Sequence, residues 1–366
     1  MSDTSNTELE TLIDDEDETE AVTSATSPVS YFGTEFDVHG LVRRFNQDAI
    51  VVPSFDPTVQ LPDPNAQGFQ RGRVWRRAQK DRFIESLLLG FPVPGIFLVE
   101  QPGKKYLVLD GQQRLTTLAS FYAGTMKLEY VDSAFAGLTY NTLPDDVRRS
   151  LDDTFIQSII IRVPQSVEDY ESVYQIFERL NSGGTNLQPQ EIRVALYGGV
   201  SVDAVRQLNS DANWRLIYGN RSDRLKDQEL ILRVLALYSE SEHYFAPLKS
   251  FLNEFLGLHR TGENLPLQDL SALFKRAAEV IAGSLGKRAF RLGTQVNAAI
   301  LDSVFVGVME RLAISEQKVI GKEEFLEAYG VLLLDAEYID AVTKATANEP
   351  SVEMRLMKAR EAFSSL

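Results

Sequence analysis

The chain has 366 residues, 44% of them hydrophobic, with no cysteine, three histidines and a formal net charge of −15. That length predicts about two domains, and the missing cysteine excludes disulfide frameworks, Cys–zinc sites and thiol nucleophiles. His39, His243 and His259 stand too far apart for a three-His metal site or for the local His cluster of an HNH nuclease.

The charge is unevenly spread. Residues 1–42 hold eleven Asp and Glu and no Lys or Arg, so removing those eleven from −15 leaves −4 for residues 43–366. A generally basic, DNA-coating protein is excluded, but a local phosphate site is not. Residues 1–30 are rich in Ser and Thr and carry the run Asp14–Glu18. They read as a disordered acidic tail, because they cannot bury enough apolar area to offset their ordering entropy. Such a tail serves as a solvating segment or binds a partner by mimicking nucleic-acid charge. The longest uncharged apolar stretch, Leu87–Val99, has 13 residues and contains Pro92 and Pro94. That is short of the roughly 20 needed to span a bilayer, so no membrane association is expected, and the zero cysteine count fits a cytoplasmic location.

From about residue 31 the pattern predicts α+β structure. Ala49–Pro53 reads as a strand and Phe55–Gln67, with three prolines, as an inserted loop. Arg77–Leu89 reads as a helix stopped by Gly90, with Phe83, Ile84, Leu87 and Leu88 on one face. Ile96–Glu100 and Tyr106–Leu109 read as a hairpin turning at Gln101–Lys104, and a helix opens at Asp110. Ser158–Val163 is a fourth strand, followed by helices Val167–Leu180 and Pro189–Tyr197. Beyond residue 200 the strand signal fades. Gln228–Tyr238, Ala246–Leu256, Leu267–Ile281, Thr294–Arg311 and Glu323–Leu334 read as amphipathic helices. The expected domains are therefore the tail 1–30, an α+β domain 31–200 and a mostly helical domain 201–366.

Four segments carry candidate chemistry. In Val108–Leu118 a strand runs into a helix across Asp110-Gly111, where Asp110 can cap the helix and Gln113 can complete a capping-box-like exchange. Free N–H groups at that helix start, with Arg114 in the first turn and Gln112 and Gln113 as neutral donors, make an anion site. The plainer alternative is a cap and an ordinary ion pair. In Ile176–Thr185, Arg179 and Asn181 precede Gly183-Gly184, which ends a helix or brings backbone close to a polar ligand. Gln188–Gly199 opens on Pro189, and simple periodicity leaves Glu191 and Arg193 exposed. Gln70–Arg77 clusters Arg71, Arg73, Arg76 and Arg77 around Trp75, for phosphate or base contact or as a charged helix lead with Trp75 in the core. Gly283–Lys287 only superficially resembles a phosphate-binding loop, and there is no G-x-S-x-G or H-E-x-x-H.

Together these segments resemble the N-terminal domain of the GmrSD family of modification-dependent (type IV) restriction systems. The resemblance rests on Gln70-Arg71 with Trp75, Arg82–Phe97, Asp110–Leu118 (DGQQRLTTL), Phe177–Gly184 (FERLNSGG) and Glu191–Arg193, in that order, across residues 31–200. Downstream, Arg221–Leu235 and Ser351–Phe363 are similar to helices that follow this domain in the family. The resemblance implies a small mixed sheet with helices, similar to ParB and sulfiredoxin, and binding and hydrolysis of a nucleoside triphosphate (NTP). It further implies Mg2+ or another divalent ion arriving with the NTP, held at Asp110. Asp110, Gln113 and Arg114 would be catalytic. Arg71, Trp75, Gly111, Gln112, Arg179, Asn181, Gly183 and Gly184 would bind the nucleotide, with Glu191 and Arg193 behind them. A separate nuclease is the implied partner, with DNA contact through Arg71–Arg77. Three readings remain open from sequence: an NTPase gating a nuclease, a nucleotide or modified-DNA sensor without turnover, and a regulatory or anti-restriction protein using the acidic tail.

Overall fold

The computed structural model describes residues 28–53, 75–180, 187–263, 265–293, 295–314 and 319–366. The expected acidic tail, as far as residue 27, and the expected loop Phe55–Gln67 lie outside them. The chain divides into two compact units that meet at Leu187/Gln188.

The first unit is α+β. In chain order it contains β1 (Tyr31–Asp37), α1 (Val38–Asn46), β2 (Ile50–Val51), α2 (Arg77–Leu88), β3 (Ile96–Gln101), β4 (Lys105–Asp110), α3 (Gln112–Tyr122), α4 (Asp145–Asp152), β5 (Phe155–Ile161) and α5 (Val167–Leu180). The sheet order is β1-β5-β3-β4-β2. β1 with β5 and β3 with β4 are antiparallel, while β5 with β3 and β4 with β2 are parallel. The two-residue period of a strand explains the layering. Leu98 and Val108 pack on one face with Val38 and Leu41 of α1, Ile84 and Leu87 of α2, and Leu115, Leu118 and Phe121 of α3. Their neighbours Val99, Leu107 and Leu109 are also buried, and α5 packs against β4. A strand covered on both faces reads as an apolar run, which is why Tyr106–Leu109 stood out in the sequence. The hairpin turn is where the sequence places it. The helix at β1 was not legible, although Asp37 caps α1 by accepting from the Gly40 N–H at 2.6 Å.

The second unit is helical. It contains α6 (Pro189–Leu196), α7 (Val200–Leu208), α8 (Ala212–Tyr218), α9 (Lys226–Glu240), α10 (Leu248–Leu258), α11 (Leu267–Leu285), α12 (Ala298–Ile314), α13 (Lys322–Leu332), α14 (Ala336–Thr343) and α15 (Glu349–Phe363). α6 counts with this unit because it packs on α9 and α10. α12 is the centre, buried from Ala298 to Met309 and packed by α9, α11 and α15. A helix apolar all round belongs in the middle of a core. Its Asp302 carboxylate is fully buried between two guanidiniums, with Arg233 Nη2 at 2.8 Å and Arg355 Nε at 2.9 Å. Among the described residues no helix is long and apolar enough to cross a membrane.

Candidate functional site: a polar recess at the start of α3

β4 ends at Asp110 and α3 begins at Gln112, so Gly111 alone makes the turn. Its φ is +99 with ψ 9, a left-handed conformation that side chains disfavour. A Cβ there would lie 2.5 Å from Ile96 Cγ2 and 3.3 Å from Arg114 Nη2. Glycine is required twice over, by the backbone angle and by the approach of β3. The first N–H to bond back into the helix is that of Leu115, to Gly111 O at 3.0 Å. The N–H groups of Gln112, Gln113 and Arg114 precede it and no side chain caps the helix. Three donors therefore stand at the positive end of a helix dipole.

The expected cap is corrected here. Gly111, not Asp110, is the N-cap, because the left-handed turn leaves Asp110 one residue too early, as the last residue of β4. The Asp110 carboxylate instead pairs with Arg114, Oδ2 to Nη2 at 2.5 Å. The same Nη2 donates to Gly95 O at 2.9 Å, while Arg114 Nε is buried with no partner. The Arg114 side chain is 12% exposed and that of Asp110 45%, so the acid is open to exchange and the base is held. Gln113 does not complete a capping exchange either. Its Oε1 accepts from the Trp75 N–H at 3.1 Å. A backbone N–H can only donate, so the amide oxygen must face Trp75 and the Nε2 donors face away.

Residues 108–114 line a recess of about 140 Å³ whose further described walls are Pro53, Trp75, Phe177 and Leu187. That is below the roughly 300 Å³ at which small-molecule pockets begin and suits a phosphate group. Trp75 packs edge-on against Phe83 with centroids 5.3 Å apart. Arg179 is exposed near the end of α5. Arg71, Asn181, Gly183 and Gly184 lie outside the described residues. Within the arginine cluster, Arg77 is committed: its Nε donates to the buried Asp81 at 3.0 Å, and its Nη2 bonds Lys127 O. Asp81 also accepts from the N–H groups of Glu129 and Tyr130, each at 3.0 Å, so this pair pins a chain segment.

Glu191 and Arg193 are not the exposed residues that periodicity suggested. Both are buried in the helical unit. Arg193 donates to Asn253 Oδ1 and to Glu229 Oε2, each at 2.8 Å. Glu191 accepts from the Gln188 N–H at 2.7 Å and from Arg224 at 3.0 Å. Burial raises the Glu191 pKa against the opposing hydrogen bond to Gln188 and the Arg224 charge. These partners lie as far as 60 residues away in sequence, beyond any local pattern. Sequence reasoning also missed Pro53, Leu187 and the carbonyl of Gly95, none of which carries a local signal.

The helical unit has a larger cavity of about 740 Å³, whose charged lining is Glu240, Asp269, Glu310 and Arg276. Three carboxylates against one guanidinium have the wrong sign for a polyphosphate, whereas the recess at α3 is lined, among the described residues, by one carboxylate and one guanidinium. Among the described residues no group of three His, Asp or Glu is arranged to hold a metal ion. Asp110 is the only carboxylate among the described lining of the recess. One carboxylate fits an ion such as Mg2+, which takes most of its ligands from water and phosphates.

No curated protein matches the chain. Residues 57–198 match the family model described as GmrSD restriction endonuclease, N-terminal domain, a span that includes the whole of β4, Gly111 and α3. Over residues 57–198 the chain is thus similar to the GmrSD restriction endonuclease N-terminal domain family.

Proposed function

We propose that this chain is the component of a type IV restriction system that binds and hydrolyses a nucleoside triphosphate, while a separate nuclease cuts the DNA. The family supports the restriction system. The single observation that carries the nucleotide reading is the start of α3. Uncapped N–H groups, a glycine that admits no Cβ, and a buried Arg114 Nε without a partner all belong to residues that line one recess. Each is a donor or a space that a phosphate would satisfy.

Phosphoryl transfer to water is mainly positioning and charge stabilisation. The backbone N–H groups of Gln112 and Gln113 would hold phosphate oxygens. Arg114, fixed to the Gly95 carbonyl, would stabilise charge that develops on the transferred group. The Nε2 donors of Gln113, aimed by the Trp75 N–H, would orient an oxygen beside it. A divalent ion bound with the phosphates would neutralise their charge, and Asp110 is the side chain placed to hold it. DNA contact through Arg71–Arg77 would fall to the arginines other than Arg77, which Asp81 holds. The zero cysteine count supports action in the cytoplasm.

The test is phosphate release from the four NTPs with Mg2+, for wild type and Arg114→Ala. Wild type releases phosphate, and the variant loses about a hundredfold or more while its thermal melting shows a folded chain. Near-wild-type release by the variant overturns the assignment. Calorimetric binding without release would make the domain a nucleotide switch.

A further inference from the structure

We propose that the Asp110–Arg114 ion pair is a latch on the phosphate site: an incoming phosphate takes the guanidinium from Asp110, and the freed carboxylate takes the divalent ion. The inference rests on the nucleotide reading above and adds that nucleotide and cation bind as a coupled pair.

The geometry of the pair is the argument. Both acceptors of Arg114, Asp110 Oδ2 and Gly95 O, fall on one nitrogen, Nη2. The carboxylate approaches at a single point, so the two-point fork that Arg and a carboxylate form at their best is not made. The Nε–H is left buried and unpartnered. A phosphate, with three acceptor oxygens, can satisfy donors that this carboxylate leaves empty. Gly95 O holds the same nitrogen, so Arg114 has no need to move far to change partners. Asp110 is the more exposed member, 45% against 12%.

Charge makes the exchange depend on a cation. With Asp110 in place, the carboxylate cancels much of the field of Arg114 and of the helix end. A phosphate arriving alone meets a like charge beside it. A divalent ion between the phosphate and the freed carboxylate turns that repulsion into two attractions. Linkage requires reciprocity: the cation strengthens nucleotide binding by the factor with which nucleotide strengthens cation binding.

The experiment is calorimetric titration of the full chain with the four NTPs, in EDTA and in Mg2+, for wild type, Asp110→Asn and Asp110→Ser. Thermal melting of each variant checks that it folds, and the Ser variant substitutes if the Asn variant does not. The latch predicts opposite effects in the two conditions. Removing the carboxylate strengthens metal-free binding about tenfold and weakens Mg2+-dependent binding, so the gain from Mg2+ collapses. A purely structural role for Asp110 would weaken both. Variants that keep the wild-type gain from Mg2+, or that bind metal-free NTP less well, overturn the latch and leave the nucleotide reading standing. Wild type that binds no NTP in either condition overturns both.

Discussion

Gly111→Ala tests the idea that the recess is built by the close approach of β3 to the β4–α3 turn. Two terms oppose the substitution. A left-handed φ costs an alanine about 1–2 kcal/mol, and Gly111 has φ +99. The new Cβ would also lie 2.5 Å from Ile96 Cγ2, about 1 Å inside the best carbon–carbon distance. Ile96 is 1% exposed and cannot swing out, and overpacking of this kind costs about 1–3 kcal/mol. The sum is roughly 2–5 kcal/mol. Gly103→Ala in the β3–β4 turn is the control. Its φ is +81, but nothing lies within 4 Å of its Cβ, so only the backbone term applies, about 1–2 kcal/mol. Hydrogen exchange of the β3, β4 and α3 amides reads the stability of this unit rather than of the whole chain. Gly111→Ala lowers protection more than Gly103→Ala by about 1–3 kcal/mol. Equal losses for the two variants would refute the steric account of the turn.

Two further outcomes follow from the helical unit. Asp302→Asn keeps the side-chain volume but removes the buried carboxylate on which Arg233 and Arg355 converge; a loss of about 3–5 kcal/mol is expected in urea denaturation, and a loss below about 1 kcal/mol would show that the network is solvated. Burial pushes the Tyr329 hydroxyl up to about 12 from 10.0, so its folded state holds the proton more tightly than the unfolded chain does. That contribution is fully present below pH ~10 and is lost as pH rises toward ~12; Tyr329→Phe should flatten the decline in urea midpoint over this window, and identical profiles would contradict the assigned cause.

The sequence by itself determined the elements whose burial is periodic. α5 spans Val167–Leu180 as the spacing of Val173, Ile176, Phe177 and Leu180 indicates, and the β3–β4 hairpin turns at Gln101–Lys104. The junction at Asp110–Arg114 was legible because a strand, a glycine and a helix start are all local signals. Helices α7, α8 and α14 were not legible. They are short, and isolated helices of such length draw their stability from packing rather than from propensity.

Only the tertiary structure decided which partner each charged residue takes. Asp110 looked like a cap, yet the left-handed turn at Gly111 gives the cap position to glycine and frees the carboxylate for Arg114. Glu191 and Arg193 looked solvated, yet Arg224, Glu229 and Asn253 bury them. The physical reason is the same in both cases. Apolar periodicity records which face of an element leaves water, but a charge is buried wherever a counter-charge meets it, and that partner comes from elsewhere in the chain. The strand order, which brings Ile96 against Gly111 and the Gly95 carbonyl against Arg114, is likewise a property of the folded sheet.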